Sequence, residues 1–478
     1  MGAGNAQQNF NVVHAPDLLV KQHMNNDSGP IQTLKPRILL LRTIRASDWS
    51  RVEFYGRLVK QLSSGTDYWS LSSLFPALSV SLPDGLFPNL QILHWHHSKN
   101  DFHYIHHFLR PTITKISLMS SSNANSSLFS TLATKCPRLL DISVSNTGHD
   151  SLEPAVSEFV CNLQCVQKIS VPSLDQRALE HISRLTTLNQ LILFSMPEVL
   201  MPTPLHQSST FPALRRLTLH YPSIRPTTQF LGWCSGVPLA EFHTCFWEAV
   251  AGTEIDSFLA AISTAFLHSS LTSLSIDGDC DDLEGSDPNI HIITLQSIRR
   301  IFTFVNLTEL VITSLVGFDL DNDAVAELAR AWPRIVTLTL AVCFPRHEPS
   351  VTLSCLHSFA QHCPHLRVLT IALDARVAPS PNIDPRTRFV QHALTTLCVE
   401  HSPLTEPLHA ARFLSGIFPK LTNVQTQREH YANDEEQEQE HGDAIRLHRL
   451  WKRVEWLLPE LSAIRDEGMM LAQAPWTA

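Results

Sequence analysis

The stretch that decides the fold is DNDAVAELARAWPRIVTLTL, which spans residues 321–340. Its first half predicts an α-helix, because an Asp or Asn side chain can cap the start and Val325 and Leu328 then share one apolar face. Pro333 cannot continue a helix and biases the residue before it towards extended geometry, so we expect the helix to stop there. The hexapeptide that ends the stretch is typical of a short strand with one buried face.

The pattern of that hexapeptide is apolar, two variable, apolar, one variable, apolar, and we call it the hexad. Copies of the hexad begin at Leu90, Ile113, Leu139, Val166, Leu188, Leu214, Leu239, Leu271, Leu307, Ile335, Leu366, Leu394 and Leu421. Their spacing of 22 to 36 residues is close to the roughly 20 to 29 residues of a leucine-rich repeat, with loop insertions in the longer steps. The copies at Leu239 and Leu421 are degenerate, because threonine occupies their sixth position.

Proline precedes the hexad in a recurring dipeptide. The instances are Phe87-Pro88, Cys136-Pro137, Phe211-Pro212, Trp332-Pro333, Cys363-Pro364 and Phe418-Pro419. Unrelated αβ units of a doubly wound sheet would not place proline so regularly. The sequence therefore predicts an α/β leucine-rich-repeat horseshoe solenoid, with a parallel concave sheet and convex helices. We expect the fourth and sixth hexad residues to be buried, in strands of one continuous sheet.

Composition and charge exclude several classes of protein. The chain has 478 residues, of which 44% are hydrophobic and 17% charged, and its formal charge is −9. This balance predicts a large core and argues against a nucleic-acid-binding protein, which usually concentrates basic charge. The start lacks the pattern of a secretory signal, and the longest aliphatic run covers only residues 38–41. Since the ten cysteines are scattered without a CxxC pair, we expect a cytoplasmic or nuclear protein that is neither secreted nor bound to a membrane.

The chain is expected to divide into five segments. They are a disordered or loosely ordered start (residues 1–35), an irregular helical entry region (36–86), about 13 repeats (87–427), an acidic loop (428–443) and C-terminal capping helices (444–478). In the entry region a helix fits residues 48–62, with Trp49, Val52, Tyr55, Leu58, Val59 and Leu62 on one side.

The C-terminal segment carries apolar residues at helical spacing. We expect Trp451, Val454 and Leu458 to pack on the last repeats near Leu421 and Val424, because a terminal repeat needs a cap. The alternative is a free basic amphipathic helix that targets a membrane or calmodulin.

Two stretches carry a family resemblance. Residues 48–62, DWSRVEFYGRLVKQL, and residues 86–95, LFPNLQILHW, are similar to those of the fungal F-box proteins with leucine-rich repeats. In that family a tryptophan-containing helix of this form follows the F-box and leads into intracellular, helix-backed repeats. The resemblance implies that the chain recognises substrates for a Skp–cullin–F-box ubiquitin ligase.

The chain departs from this family where the F-box should stand. An F-box has about fifty residues in three helices and should precede residue 39, where only residues 15–20, APDLLV, resemble its opening. Either the box is lost, or an alternative start or gene model has removed it. We therefore expect this chain not to bind the ligase adaptor stably, unless an F-box lies upstream.

Side chains at the third and fifth hexad positions are expected to project from the concave face. The candidate partner-binding residues there are Lys115, Asp141, Lys168, Arg216, Glu241, His243 and Glu309. They carry both charge signs among many Ser and Thr residues, which suits a protein partner better than a nucleic acid.

No sequence motif points to catalysis, and we predict neither catalytic residues nor a cofactor. The G-x-S-x-G, G-x-G-x-x-G, P-loop and H-E-x-x-H motifs are absent. The one crowded histidine group consists of His94, His96, His97, His103, His106 and His107, of which the first two are spaced to share a strand face. Zinc sites usually add Cys or carboxylate ligands, and only Asp101 is close, so no metal is predicted.

Three hypotheses of function remain. The first is a substrate receptor of a ubiquitin ligase without a recognisable F-box. The second is a leucine-rich-repeat scaffold outside ubiquitination, and the remote third is a metal-dependent enzyme that uses the histidine group.

Overall fold

The structure is a computed structural model of the chain. It describes residues 19–22, 37–40, 42, 45–65, 75–76, 79, 86–97, 102–120, 126–146, 151–197, 200, 210–278, 287–345, 347–379, 389–427 and 442–473. The chain divides into two compact units, Met1–Ile182 and Ser183–Ala478.

Strands and helices alternate along most of the described chain. The strands are β1 (Leu19–Gln22), β2 (Arg37–Leu40), β3 (Gln61–Gly65), β4 (Ile92–His96), β5 (Lys115–Ser120), β6 (Asp141–Asn146), β7 (Lys168–Val171), β8 (Gln190–Leu193), β9 (Arg216–His220), β10 (Glu241–Phe246), β11 (Ser273–Gly278), β12 (Ile293–Thr294), β13 (Glu309–Ser314), β14 (Phe318–Asp319), β15 (Thr337–Val342), β16 (Val368–Ile371), β17 (Thr396–Cys398) and β18 (Asn423–Gln425). The α-helices are α1 (Ala46–Gly56), α2 (Ser126–Lys135), α3 (Glu153–Cys161), α4 (Gln176–Ile182), α5 (Ile224–Trp233), α6 (Gly252–Ala265), α7 (Leu295–Arg299), α8 (Asn322–Ala331), α9 (Leu356–His362), α10 (Pro407–Ile417) and α11 (Gly442–Gln473).

In the first unit, strands β3 to β7 run parallel, and each pairs with the next in chain order. The register aligns the fourth hexad residues, so that Ile116 pairs with Leu93 on one side and with Ile142 on the other. Strands β1 and β2 form a separate antiparallel pair. Strand β1 lies in segment 1–35, whose other residues are outside the described part of the chain.

In the second unit, strands β8 to β11, β13 and β15 to β18 run parallel, each paired with the next in that order. The fourth hexad residues again form one row: Leu191, Leu217, Phe242, Leu274, Leu310, Leu338, Leu369, Leu397 and Val424. The short strands β12 and β14 form a second parallel pair.

One hydrogen-bond pattern repeats from hexad to hexad. The carbonyl oxygen of the second hexad residue accepts bonds from the second and third amides of the following hexad. Thr308 O, for example, accepts from Val336 N at 2.8 Å and from Thr337 N at 3.0 Å, and Gln91 O in the first unit does the same. Each strand therefore begins at the same point relative to its neighbour, which sets the register.

The core lies between the strands and their helices. Leu310, Ile312, Leu338 and Leu340 are all buried, which confirms the expected repeat register. Phe242 of β10 lies against Phe258 of α6, with ring centroids 6.2 Å apart. Neighbouring helices pack side by side within each unit, α2 with α3 and α5 with α6 among them.

The helix expected at the start of residues 321–340 is present, with the expected cap. The Asp321 carboxylate accepts a bond from Ala324 N at 2.8 Å at the start of α8. Asp175 does the same for Ala178 N, at 2.7 Å, at the start of α4. These side chains satisfy amides that the first helical turn leaves without a partner.

The helix expected over residues 48–62 is wrong in its second half. Helix α1 ends at Gly56, and residues 61–65 form strand β3, with Leu62 opposite Leu93. The hexad pattern does not predict this strand, because Ser64 occupies the sixth position, where the pattern requires an apolar residue. Trp49 is buried, whereas Tyr55 and Leu58 on the expected apolar side are exposed.

The C-terminal helix α11 covers the last strand of the second unit. Trp451, Val454 and Leu458 are fully buried, and α11 packs on α10 and β18, which confirms the expected cap. Lys452 Nζ donates to Val424 O at 3.1 Å, and Glu455 accepts from Val424 N at 3.3 Å. Helix α11 therefore supplies the bonds that a further strand would have made, which protects an otherwise open sheet edge.

Two further expectations concern the acidic loop and membrane binding. The acidic loop predicted over residues 428–443 falls almost entirely outside the described residues, except where α11 begins. Within the described chain, no helix is both long and apolar enough to cross a membrane.

Candidate protein-binding face

Side chains at the third and fifth hexad positions alternate with the buried ones along each strand, as does the residue directly after the hexad, which we call the seventh position. They form what we call the open face of each unit's sheet, the face turned away from the helices. All seven candidate residues lie on it, three in the first unit and four in the second.

Two rows of the first unit's open face are polar on strands β5, β6 and β7. Lys115, Asp141 and Lys168 are direct neighbours on adjacent strands, and Lys115 Nζ lies 2.8 Å from an Asp141 carboxylate oxygen. The next row holds three serines in register, Ser117, Ser143 and Ser170. The fully polar rows of these strands offer a partner hydrogen bonds and one excess positive charge.

The open face of the second unit carries the other four candidates. Arg216, Glu241 and Glu309 belong to one row, in which Ser273 stands between the two glutamates. The Ser273 hydroxyl donates to a Glu309 carboxylate oxygen at 2.8 Å. This row has an excess of negative charge.

His243 lies in the next row, near the carboxylate of Asp277. Its Nδ1 is 3.7 Å from Asp277 Oδ2, and Asp277 also accepts bonds from Ser275 Oγ at 2.7 Å and Thr313 Oγ1 at 3.1 Å. Because hydroxyl groups on two neighbouring strands hold Asp277, the carboxylate is a fixed acidic point on this face.

Beside these residues lies a group that the sequence analysis missed. Phe194, Tyr221 and Trp247 directly follow the ends of β8, β9 and β10, which are adjacent parallel strands. Their exposed fractions are 41%, 49% and 68%. Together with His220 and His243 they form what we call the aromatic patch.

His220 lies near three other rings of the aromatic patch. The His220 ring stacks on Phe194 with ring centroids 5.0 Å apart, and it lies 6.0 Å from the His243 ring and 6.3 Å from the Tyr221 ring. Burial lowers the pKa of His220, and the neighbouring His243 lowers it further. Both causes favour the neutral form of His220, the ring of which stacks on that of Phe194.

The sequence contains a signal for only part of this patch. The alternation that places the third and fifth hexad residues on the open face also places the seventh there, which would have found Phe194 and His220. Tyr221 and Trp247 lie beyond that alternation, where the chain leaves the strand. Tyr221 has a φ of 49°, a left-handed conformation that a repeat pattern does not reveal.

The histidine group of the first unit is distributed over two faces. His94 and His96 share the open face as expected, with ring centroids 6.2 Å apart. His97 is buried instead: its Nε2 lies 2.8 Å from Ser64 Oγ and its ring lies 4.4 Å from that of Trp95. The remaining three occupy the 3₁₀ helix Phe102–His107.

The surroundings of His94, His106 and His107 favour the neutral forms of these three histidines. Burial is the largest cause that lowers the pKa of His94, and the nearby His96 and Lys115 lower it further. Among the described residues, no three His, Cys, Asp or Glu side chains come together in an arrangement that could hold a metal ion, and Asp101 lies outside those residues.

Comparisons with known proteins add little to this description. No family model matches the chain, and no curated protein matches it. A solved structure of a leucine-rich-repeat protein from Leptospira interrogans is similar over 72% of this chain and 80% of that one, with 13% identity and a TM-score of 0.38. A structure of the yeast Rad7–Elc1 complex is similar over 79% of this chain and 89% of that one, with 12% identity and a TM-score of 0.31.

The fold is assigned from the register of the strands and does not rest on these weak structural similarities. Parallel strands recur at the hexad spacing, with apolar residues of each hexad buried against helices on one side. The chain has a leucine-rich-repeat fold. Such repeats present a regular face on which only the variable positions differ from strand to strand.

Proposed function

We propose that the chain is a protein-interaction module that binds its partner through the open face of the second unit, centred on the aromatic patch. The observation that carries the proposal is the exposure of Phe194, Tyr221 and Trp247 at the ends of three adjacent strands. A partner bound there would bury all three side chains at once.

Aromatic side chains are well suited to this role. Trp and Tyr are enriched among the residues that dominate binding energy, and they bury a large area while losing few rotatable bonds. The stack of His220 on Phe194 orders part of the patch before a partner arrives, which reduces the entropic cost of binding.

The charges around the patch favour a protein over a nucleic acid. Glu241, Asp277 and Glu309 stand on the same face, on β10, β11 and β13. A phosphate backbone would be repelled by these carboxylates, whereas a protein surface can offer complementary groups.

The chain offers a matched control for the patch. Trp247 and Trp456 are almost equally exposed, at 68% and 70%, but Trp456 lies on α11 and outside the patch. Proteins captured by the wild-type chain from an extract of its source cells should be lost with Trp247→Ala and retained with Trp456→Ala. Equal capture by the two variants would contradict the proposal.

The finer proposal is that the partner is a substrate of a Skp–cullin–F-box type ubiquitin ligase. It is supported by the resemblance of residues 48–62 and 86–95 to the fungal F-box family. If it holds, deletion of the gene should lengthen the half-life of the captured partner and reduce its ubiquitination. An unchanged half-life would favour a scaffold outside ubiquitination.

Direct adaptor binding is a separate question. We expect the purified chain not to bind the purified adaptor stably, and a pull-down tests this. Micromolar or tighter binding would mean that residues 10–45 form an F-box that the sequence analysis did not recognise.

The proposal includes no catalytic step or cofactor. The metal-dependent enzyme built on the histidines near residues 94–107 is the remote alternative. Elemental analysis of the purified chain tests it, and one equivalent of tightly held zinc would support it.

A further inference from the structure

The second unit contains a large open cavity away from the aromatic patch. It has a volume of about 1590 Å³ and is lined by loops that follow the strands of the later repeats, by the starts of α6 and α7, and by the first turns of α11. Gly252 at the start of α6 allows a close approach, since a Cβ there would lie 2.3 Å from Ile292 O. The volume exceeds the roughly 300 to 1,000 Å³ of a typical small-molecule pocket, so the cavity suits a longer ligand such as a peptide.

Glu400 is the unusual residue of this cavity. It stands at the seventh position of its repeat with a φ of 49°, a left-handed conformation that favours glycine, and it lines the cavity while only 8% exposed. Its Oε1 accepts a weak bond from the Cys398 thiol, with the sulfur 3.7 Å away. Within the described part of the chain, no Lys or Arg forms an ion pair with Glu400.

Two described arginines at or near the cavity are already paired. Arg300, in its lining, binds the Asp256 carboxylate at 3.2 and 3.3 Å. Arg376 binds Glu348 at 2.7 Å and Asp374 at 2.8 Å.

Two further carboxylates, Asp319 and Asp443, line the cavity, and neither forms an ion pair with a described residue. Together with Glu400 they give the lining an excess of negative charge.

Apolar side chains complete the lining. Phe318, Leu340, Val342 and Ile371 contribute to the same cavity as Glu400. The long aliphatic stems of lysine and arginine pack on such surfaces while their charged ends reach a polar group. The cavity therefore combines an apolar wall for a stem with a buried carboxylate for its charge.

We propose that this cavity binds an extended peptide segment of a protein partner, and that Glu400 receives a lysine or arginine side chain of that segment. An incoming cation would provide the buried carboxylate with the charge partner that it lacks. Burial also raises the pKa of Glu400 to about 7, which indicates how little the site stabilises the charged carboxylate before a cation arrives.

The test uses the purified full chain and a phage-displayed library of random dodecapeptides. Peptides selected on the wild-type chain should share a Lys or Arg. In calorimetric titration, the best of them should bind at least 10-fold more weakly to the Glu400→Gln chain. Replacing its Lys or Arg by Gln should weaken binding to the wild type by a similar factor and cost little further affinity on Glu400→Gln, because the two changes remove the same contact.

Two controls separate this site from the aromatic patch. Glu241→Gln and Trp247→Ala, both outside the cavity lining, should leave the affinity of the peptide unchanged. A selection without a shared cationic residue, or a Glu400→Gln chain that binds the selected peptide as tightly as the wild type, would overturn the proposal. A comparable loss with Trp247→Ala would also overturn it, since the peptide would then occupy the aromatic patch.

Discussion

The open faces of the two units use the same hexad and the same strand register but expose different side chains. In the first unit the central rows are lysine, aspartate and serine, whereas the second unit adds Phe194, Tyr221 and Trp247 and has an acidic excess. The buried rows of both units are almost uniformly aliphatic. The repeat therefore specifies how strands stack, and the positions that it leaves free determine what each unit can bind.

The largest expected effect concerns what the two units share, the buried row. Leu338→Ala should lower the free energy of unfolding by about 2 to 5 kcal/mol, because it leaves a cavity at a fully packed site. The neighbouring Thr339→Ala, on the open face, should change it by less than about 0.5 kcal/mol. Denaturant unfolding of the two variants checks this, and similar losses in both would mean that the two faces are not distinct.

The second effect concerns a buried acid of the second unit, Glu400. Its pKa of about 7 in the folded state exceeds the ordinary 4.5, so the folded chain binds more protons than the unfolded chain between those values. Glu400 makes its full contribution to the free energy of unfolding below pH 4.5, and this contribution is lost as the pH rises through 7.

Glu400→Gln removes this dependence on pH. The free energy of unfolding of the variant should therefore rise relative to that of the wild type as the pH rises. From pH 5 to pH 8 the gain should be on the order of 2 kcal/mol in the free energy of unfolding, measured by chemical denaturation at both pH values. A difference between the two chains that does not change with pH would contradict the raised pKa.

The third effect arises from a degenerate hexad of the second unit. Thr244 is fully buried at a position where most other hexads carry Leu, Ile or Val, and its hydroxyl has no hydrogen-bond partner among the described residues. Thr244→Val should therefore raise the free energy of unfolding by about 1 kcal/mol, measured by the shift in denaturation midpoint.

Thr227 provides the matched control for this change. It is equally buried, but its hydroxyl donates to Ser223 O at 2.8 Å, so Thr227→Val should lower stability by about 1 kcal/mol. A loss of stability in both variants would show that the hydroxyl of Thr244 does have a partner.

The smallest effect concerns the polar face of the first unit. Asp141→Asn breaks the ion pair with Lys115, in which both side chains are partly exposed. The loss should be less than about 1 kcal/mol, and it should shrink further at high salt because exposed pairs are screened. A larger, salt-independent loss would show that this row contributes to folding and is not simply solvated surface.

Much of the fold could be predicted from the sequence because its causes are local. Buried residues such as Leu310 recur at the hexad spacing, and proline marks the end of several helices. The cap was also predictable, since Trp451 and Leu458 belong to a regular helical pattern. Strand β3 was not, because Ser64 breaks the hexad although the backbone of that strand pairs normally with β4.

The candidate site was harder to predict than the fold. The hexad indicates that Glu241 and His243 share a face, but it does not say which open-face residues matter. Tyr221 and Glu400 depend on left-handed backbone conformations at strand ends, and Glu400 lines its cavity together with loops that are distant in sequence. These features result from tertiary packing and leave no periodic signal.

The central claim is that the partner binds the second unit at the aromatic patch, and one measurement tests it most directly. The affinity of the captured partner should be determined by calorimetry for the wild type, Trp247→Ala and Lys168→Ala. We expect about 30-fold weaker binding for Trp247→Ala, equivalent to roughly 2 kcal/mol, and a change below about 3-fold for Lys168→Ala. Unchanged affinity for Trp247→Ala together with a large loss for Lys168→Ala would place the partner on the first unit and contradict the account.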